Sequence, residues 1–258
     1  MTETNSASPV VLITGAASGI GAATARLVAG PNARLALHSR AHTAEGQARF
    51  AHTLASMREQ GADVLELTGD LVDAGAGERI VTATLARYGR IDQIVANAGF
   101  ADKRSTAELT RAEFDRSFDG MAGSLFEMAK AAQASLRSSA HGRIVFVSSF
   151  VARRFAKGGL FPASASAKAA AEALIKTLVI ELATDGVTVN CVAPGYTRKD
   201  HGSGQLDASA WTKAAEMTPL GRIADPIDIA RLIAFLLSDG ARHITGQIIA
   251  VDGGLTLG

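Results

Sequence analysis

A single cysteine, Cys191, stands in 258 residues, which excludes an intrachain disulfide and a cysteine-rich zinc site and points to a reducing, cytoplasmic setting. Net charge is nearly absent too: 26 Lys and Arg against 25 Asp and Glu leave a formal +1. With no basic face and no polybasic run, neither nucleic acid nor an anionic membrane is expected as a partner. No uncharged stretch is long enough to span a membrane. The first residues, polar and carrying Glu3, lack the basic and apolar regions of a leader, so residues 1–8 read as a flexible tail. The six histidines form no close ligand pair, and no metal is expected. Tyrosine is scarce as well, with only Tyr88 and Tyr196.

What is present is enough apolar material for a sizeable core, 47% hydrophobic residues with 20% charged. Short apolar runs near 10–14, 34–38, 63–68, 91–96, 143–148, 188–192 and 248–251 alternate with segments of helical period near 20–28, 43–59, 76–88, 111–138, 164–184, 208–215 and 226–237. That alternation predicts an α/β fold, a doubly wound parallel sheet of about seven strands in one domain over 9–258. No Pro/Gly/Ser-rich linker or fixed repeat divides it. The least regular stretch, 195–219, holds Gly202, Ser203, Gly204 and the only tryptophan, Trp211. It reads as either a mobile lid or a long surface connection with a buried Trp.

The first predicted strand runs into Thr14-Gly15-Ala16-Ala17-Ser18-Gly19-Ile20-Gly21 and then a helix. Glycines there let backbone N–H groups approach a pyrophosphate, and the helix N-terminus supplies unpaired donors and partial positive charge. The spacing is Gly-x3-Gly-x-Gly, and its position between strand and helix gives it weight. Asp70-Leu71, after the third strand, either holds an adenine edge or caps the next turn. Asn97-Ala98-Gly99, after the fourth, sits where strand order reverses and dinucleotides lie, or only forms the turn. An acid roughly 20 residues past the glycine motif would accept the ribose hydroxyls of NAD. None occurs from Ala22 to Ala44, while the second strand ends in His38-Ser39-Arg40, where Arg40 is either a guanidinium that joins the Ser39 hydroxyl on a phosphate or a solvated surface residue. NADP is therefore the expected cofactor in preference to NAD.

The glycine turn, Asp70, Asn97-Ala98-Gly99, Val147-Ser148-Ser149, Lys168-Ala169-Ala170, Asn190-Cys191-Val192-Ala193-Pro194-Gly195, and 244–254 with its Ile-Thr-Gly-Gln and Val-Asp-Gly-Gly ends together resemble the short-chain dehydrogenase/reductase family over residues 9–256. The resemblance implies a Rossmann domain with a nicotinamide dinucleotide on Gly15, Ser18, Gly19, Ile20, Gly21, Ser39, Arg40, Asp70, Leu71, Asn97, Ala98, Gly99, Lys168, Pro194 and Gly195. It also implies a homo-tetramer or homo-dimer whose segments near 111–138 and 164–184 pack against a partner. Of the family's Ser–Tyr–Lys set, the serine falls at Ser149 and the lysine at Lys168. The tyrosine position, four residues before the lysine, holds Ser164, and the relay asparagine falls at Met121. The threonine five residues after Pro194 appears as Lys199.

A serine hydroxyl is a far weaker acid than a phenol, whose pKa of roughly 10 can fall beside an ammonium. Tyr88, before the Gly89-Arg90 turn, is expected at the remote end of the sheet. Tyr196, at the mouth of the expected site, either packs there or replaces the proton donor. The first functional reading is an oxidoreductase on a small carbonyl or alcohol, with Ser149 polarising the oxygen, Lys168 holding ribose and charge, and the proton arriving by water near Ser164 or from Tyr196. The alternatives are a redox-inactive dinucleotide-binding protein, and a scaffold pairing with a catalytically complete relative. Arg153, Arg154 and Lys157 read as a solvated rim or as contacts for an anionic substrate tail, and His201 as a surface residue or substrate contact.

Overall fold

The computed structural model describes residues 8–156, 159–198 and 208–257. Seven parallel strands form one sheet: β1 (Val10–Thr14), β2 (Arg34–Ser39), β3 (Asp63–Thr68), β4 (Gln93–Ala96), β5 (Arg143–Val147), β6 (Thr188–Pro194) and β7 (Ile248–Val251). Their order is β3-β2-β1-β4-β5-β6-β7. The inner strands β1, β4, β5 and β6 are buried along their whole length, as expected of parallel strands covered on both faces. Val10–Ile13 and Ile144–Val147 then meet a core on both faces and read as continuous apolar runs.

Eight helices of the described residues connect and cover the sheet: α1 (Gly19–Val28), α2 (Ala44–Glu59), α3 (Ala76–Tyr88), α4 (Arg111–Phe118), α5 (Ser124–Arg137), α6 (Pro162–Leu182), α7 (Ala208–Glu216) and α8 (Pro226–Leu237). On one face α3, α5 and α6 bury Ile80, Leu125, Met128, Ile175 and Leu178 against Leu12, Ile94, Ile144 and Phe146. On the other, α1, α2 and α8 bury Phe50, Leu54, Ile229 and Ile233 against Ile13, Leu37, Val95 and Val145. Helix starts obey the local chemistry. Thr110 and Glu113 close a capping box at α4, and Asp225 with Asp228 does so at α8, where Pro226 takes the first turn.

Two boundaries differ from expectation. The helix expected over 111–138 is interrupted by a π-helical turn, Asp119–Gly123, containing Met121; such a turn inserts a residue and rotates the helix beyond it. The fourth strand begins at Gln93 instead of residue 91 because Asp92 is an anchor. Its buried carboxylate accepts from Val10 N at 2.8 Å and from the Ser139 hydroxyl, and pairs with Arg90. Residues 1–7 of the expected tail lie outside the described residues, as do Lys157, Lys199, His201, Gly202, Ser203 and Gly204. The part of 195–219 that is described holds α7, with Trp211 half-buried on it.

Candidate active site

The crossovers from β1 and β4 depart in opposite directions, so a crevice opens between their carboxyl ends, the place where doubly wound sheets hold ligands. The glycine turn forms its floor. Gly15 has φ +68°, and a Cβ on Gly21 would stand 2.3 Å from Gly15 O, so the turn closes only with glycine at position 21. Asn97 braces this turn from β4. Its amide nitrogen donates to Thr14 O at 2.9 Å and Gly15 O at 3.2 Å, while the Thr14 hydroxyl accepts from Asn97 N and Ala98 N, both at 3.0 Å. The side chain of Asn97 is thus occupied in shaping the turn.

Ser18 makes no side-chain cap on α1, and among the described residues no hydrogen bond engages the amides of Ile20 and Gly21. A helix start with open donors above a turn of glycines and small side chains fits a diphosphate. Toward the adenosine end, β2 finishes with Ser39, buried, and Arg40, half-exposed. Asp70 caps its own turn through Oδ1, which accepts from Val72 N at 3.2 Å, and its Oδ2 accepts from Arg116 at 2.9 Å. Leu71 is buried in the core beside this turn. His38 is buried with Nε2 at 3.1 Å from Gly69 O, and desolvation holds its pKa below the ordinary 6.5.

At the other end, Lys168 projects from α6 beneath β5. Its Nζ donates to Val147 O at 2.5 Å and lies 4.6 Å from the centre of the Phe146 ring, and no carboxylate pairs with it among the described residues. Burial pulls the ammonium down to about 8, with Cys191 and Glu172 acting in the opposite direction. Gly99 makes room for it: a Cβ there would stand 2.9 Å from Nζ and 3.4 Å from Met121 Sδ. Met121 is therefore brought to the site by the π turn, as a buried thioether that carries no exchangeable proton.

Ser149 lies two residues past β5 and heads a 3₁₀ turn, its Oγ accepting from Val151 N at a long 3.4 Å. Ser164, one turn before Lys168, is buried, and its Oγ accepts from Asp102 N at 2.8 Å. The loop after Gly99 rests there on the short side chain. Asp102 is held in turn by Arg104, which reaches Glu113 at 2.6 Å. Tyr196, just past Pro194 and Gly195, stacks at a tilt on Phe150, ring centres 4.7 Å apart. Its position next to the 3₁₀ turn supports packing, and its hydroxyl has no hydrogen-bond partner among the described residues. Tyr88 donates to Asp63 O at 3.0 Å at the start of β3, the remote end of the sheet, and burial pushes its phenol up to about 12.

Arg153 is exposed, as a rim residue would be, but it is not free: it pairs with Glu172 at 3.2 Å, and the other oxygen of that buried carboxylate accepts from the Ser148 hydroxyl at 2.6 Å. Sequence reading overlooked Glu172, although its place four residues after Lys168 puts both on one face of α6. Arg116 was overlooked as well, and no local pattern marks it.

A family model described as "Enoyl-(Acyl carrier protein) reductase" matches residues 15–256. Over 252 residues the chain is 35% identical to a cis-4-hydroxycyclohexanecarboxylate dehydrogenase of Sinomonas cyclohexanicum, covering 96% of each protein. It is 32% identical over 250 residues to an L-rhamnose 1-dehydrogenase (NAD(P)(+)) of Azotobacter vinelandii, covering 95% of each. Among solved structures, a blue fluorescent protein from a metagenomic library, in complex with NADPH, superposes with TM-score 0.87 at 27% identity over 96% of this chain and 97% of that one.

Proposed function

Since the chain belongs to the short-chain dehydrogenase/reductase family, whose members are NAD(P)-dependent oxidoreductases, we propose that it is an NADP-preferring one acting on a small carbonyl or alcohol, with an atypical proton donor. The observation that carries this is Lys168: a buried ammonium with no carboxylate partner among the described residues, beside Gly99 in a crevice whose floor is a diphosphate-fitting glycine turn. A bound nicotinamide supplies or takes the hydride. In this reading the glycine turn with Gly15 and Gly19 and the amides of Ile20 and Gly21 hold the diphosphate, with Ser18 at the helix start and Leu71, Ala98, Pro194 and Gly195 along the walls. Ser39 and Arg40 face a 2′-phosphate, because no acid on β2 repels it. That relatives bind NADPH supports the same choice.

For the substrate, Ser149 donates a hydrogen bond to the reacting oxygen, and Lys168 holds the nicotinamide ribose and keeps positive charge beside it. Ser164 accepts from Asp102 N and keeps its own O–H to donate, so it can order a water that delivers the proton; Tyr196 is the second candidate donor. Orientation on the cofactor retains part of the rate even with a weak acid. The reading also takes α5 and α6 as subunit contacts in a cytoplasmic homo-dimer or homo-tetramer: Phe126 and Ile180 stand 52% and 81% exposed on them.

The test is NADPH consumption over a panel of small ketones and aldehydes, with NADP⁺ reduction over the matching alcohols. Turnover above background that falls by about 10²-fold or more in Lys168→Ala supports the reading. Cofactor that binds but stays unchanged across the panel contradicts it and favours the redox-inactive alternative. Ser164→Tyr, which restores a phenol one turn before Lys168, is expected to raise carbonyl reduction by about tenfold or more.

A further inference from the structure

At the adenosine end of the crevice, three charged side chains from three separate elements meet. Asp70, after β3, has one oxygen committed to its own turn, where Oδ1 accepts from Val72 N. Only Oδ2 is left to partner a cation, and two guanidiniums approach it: Arg116 of α4 at 2.9 Å, as a hydrogen bond, and Arg40 at the end of β2 at 3.7 Å, beyond hydrogen-bond reach. Arg40 is turned by a further contact, its Nε donating to His42 Nδ1 at 3.0 Å.

From this arrangement we infer that Arg116 determines cofactor specificity by occupying Asp70 and so leaving Arg40 to a 2′-phosphate. Two positive groups around one carboxylate leave one net positive charge at the place where a 2′-phosphate must be neutralised. Without Arg116, Asp70 Oδ2 has a single claimant. Arg40 needs to close less than 1 Å to bond it, and the pair then cancels and turns the guanidinium away from the ligand. All three side chains are partly exposed, so the effect is modest in energy, but it acts on one cofactor and not the other. Arg116 is thus a positioning residue, acting through Asp70. The inference rests on the NADP preference proposed above.

The experiment is calorimetric titration of the full chain with NADPH and with NADH. It covers the wild type, Arg116→Ala, Arg116→Lys, Asp70→Asn and the double variant Arg116→Ala with Asp70→Asn. The wild type is expected to favour NADPH, and Arg116→Ala to lower the NADPH-over-NADH ratio of affinities by about fivefold or more. Arg116→Lys keeps a cation on Asp70 and holds most of the ratio. Removing the carboxylate in the double variant restores it, and Asp70→Asn alone raises it. A wild type that favours NADPH with a ratio unmoved in Arg116→Ala and in Asp70→Asn overturns this inference and leaves the NADP reading standing. A wild type that favours NADH overturns both. An altered fold of α4 would weaken the two cofactors alike, and where Arg116→Ala fails to fold, the ratio in Asp70→Asn decides.

Discussion

Lys168 is stabilised by one carbonyl and one aromatic ring, too little to offset its desolvation fully, and its pKa of about 8 against an ordinary 10.5 records the deficit. The sign comes from linkage. The folded state favours the neutral amine, so this group's stabilising contribution is present above about pH 10.5 and is lost as pH falls toward 8. Lys168→Met, of similar length and apolar, is therefore predicted to melt higher than the wild type at pH 7, by the equivalent of roughly 1–3 kcal/mol. The advantage should shrink between pH 8 and 10.5, while turnover disappears. Thermal melts across that range check it, and equal stability at pH 7 would count against a strained ammonium. Gly99→Ala probes the same residue from the other side. The new methyl meets the ends of two long side chains, Lys168 Nζ at 2.9 Å and Met121 Sδ at 3.4 Å, so the melting temperature should change little while turnover falls by about tenfold or more.

At the scale of elements, the central strands were legible because a parallel strand buried on both faces reads as a near-continuous apolar run, as in Val10–Ile13 and Ile144–Val147. The glycine turn was legible because its chemistry is local, a strand end leading into a helix start. Less was visible where a long-range partner decides. Asp92 reads as one more residue of an apolar run until its carboxylate is seen on Val10 N. The π turn at Asp119–Gly123 hides inside a continuous helical pattern, and only Gly120 and Gly123 hint at it. Ser149, Ser164 and Lys168 were marked by the family resemblance, which aligns them with its serine, tyrosine and lysine positions. That Ser164 accepts from Asp102, that Glu172 links Ser148 to Arg153, and that Asp70 joins Arg116 depend on contacts between distant segments. The π turn carries its own prediction. Met121→Asn places an amide beside Gly99 and Lys168 and, combined with Ser164→Tyr, should raise carbonyl reduction beyond Ser164→Tyr alone; an equal or lower rate would mean that the turn does not aim this position at the reaction.

For the whole molecule, the sheet brings residues from six separate segments of the chain to one rim, and the two helices beside it leave large apolar side chains outward. Ile180→Glu, joined with Phe126→Glu, is predicted to lower the oligomeric state, read as mass by light scattering after gel filtration, without loss of helix content. An unchanged mass would place the subunit contact elsewhere. Among the described residues no helix is long and apolar enough to cross a membrane. In the proposed reading, the work of this chain rests on what its crevice holds. The most direct test of that is titration of the intact protein with NADPH, monitored by heat and by thermal shift, beside the same titration of Gly21→Ala. A saturable signal in the wild type that vanishes when a methyl is forced to within 2.3 Å of Gly15 O is the predicted result. No heat and no upward shift with either the reduced or the oxidised cofactor would contradict the account.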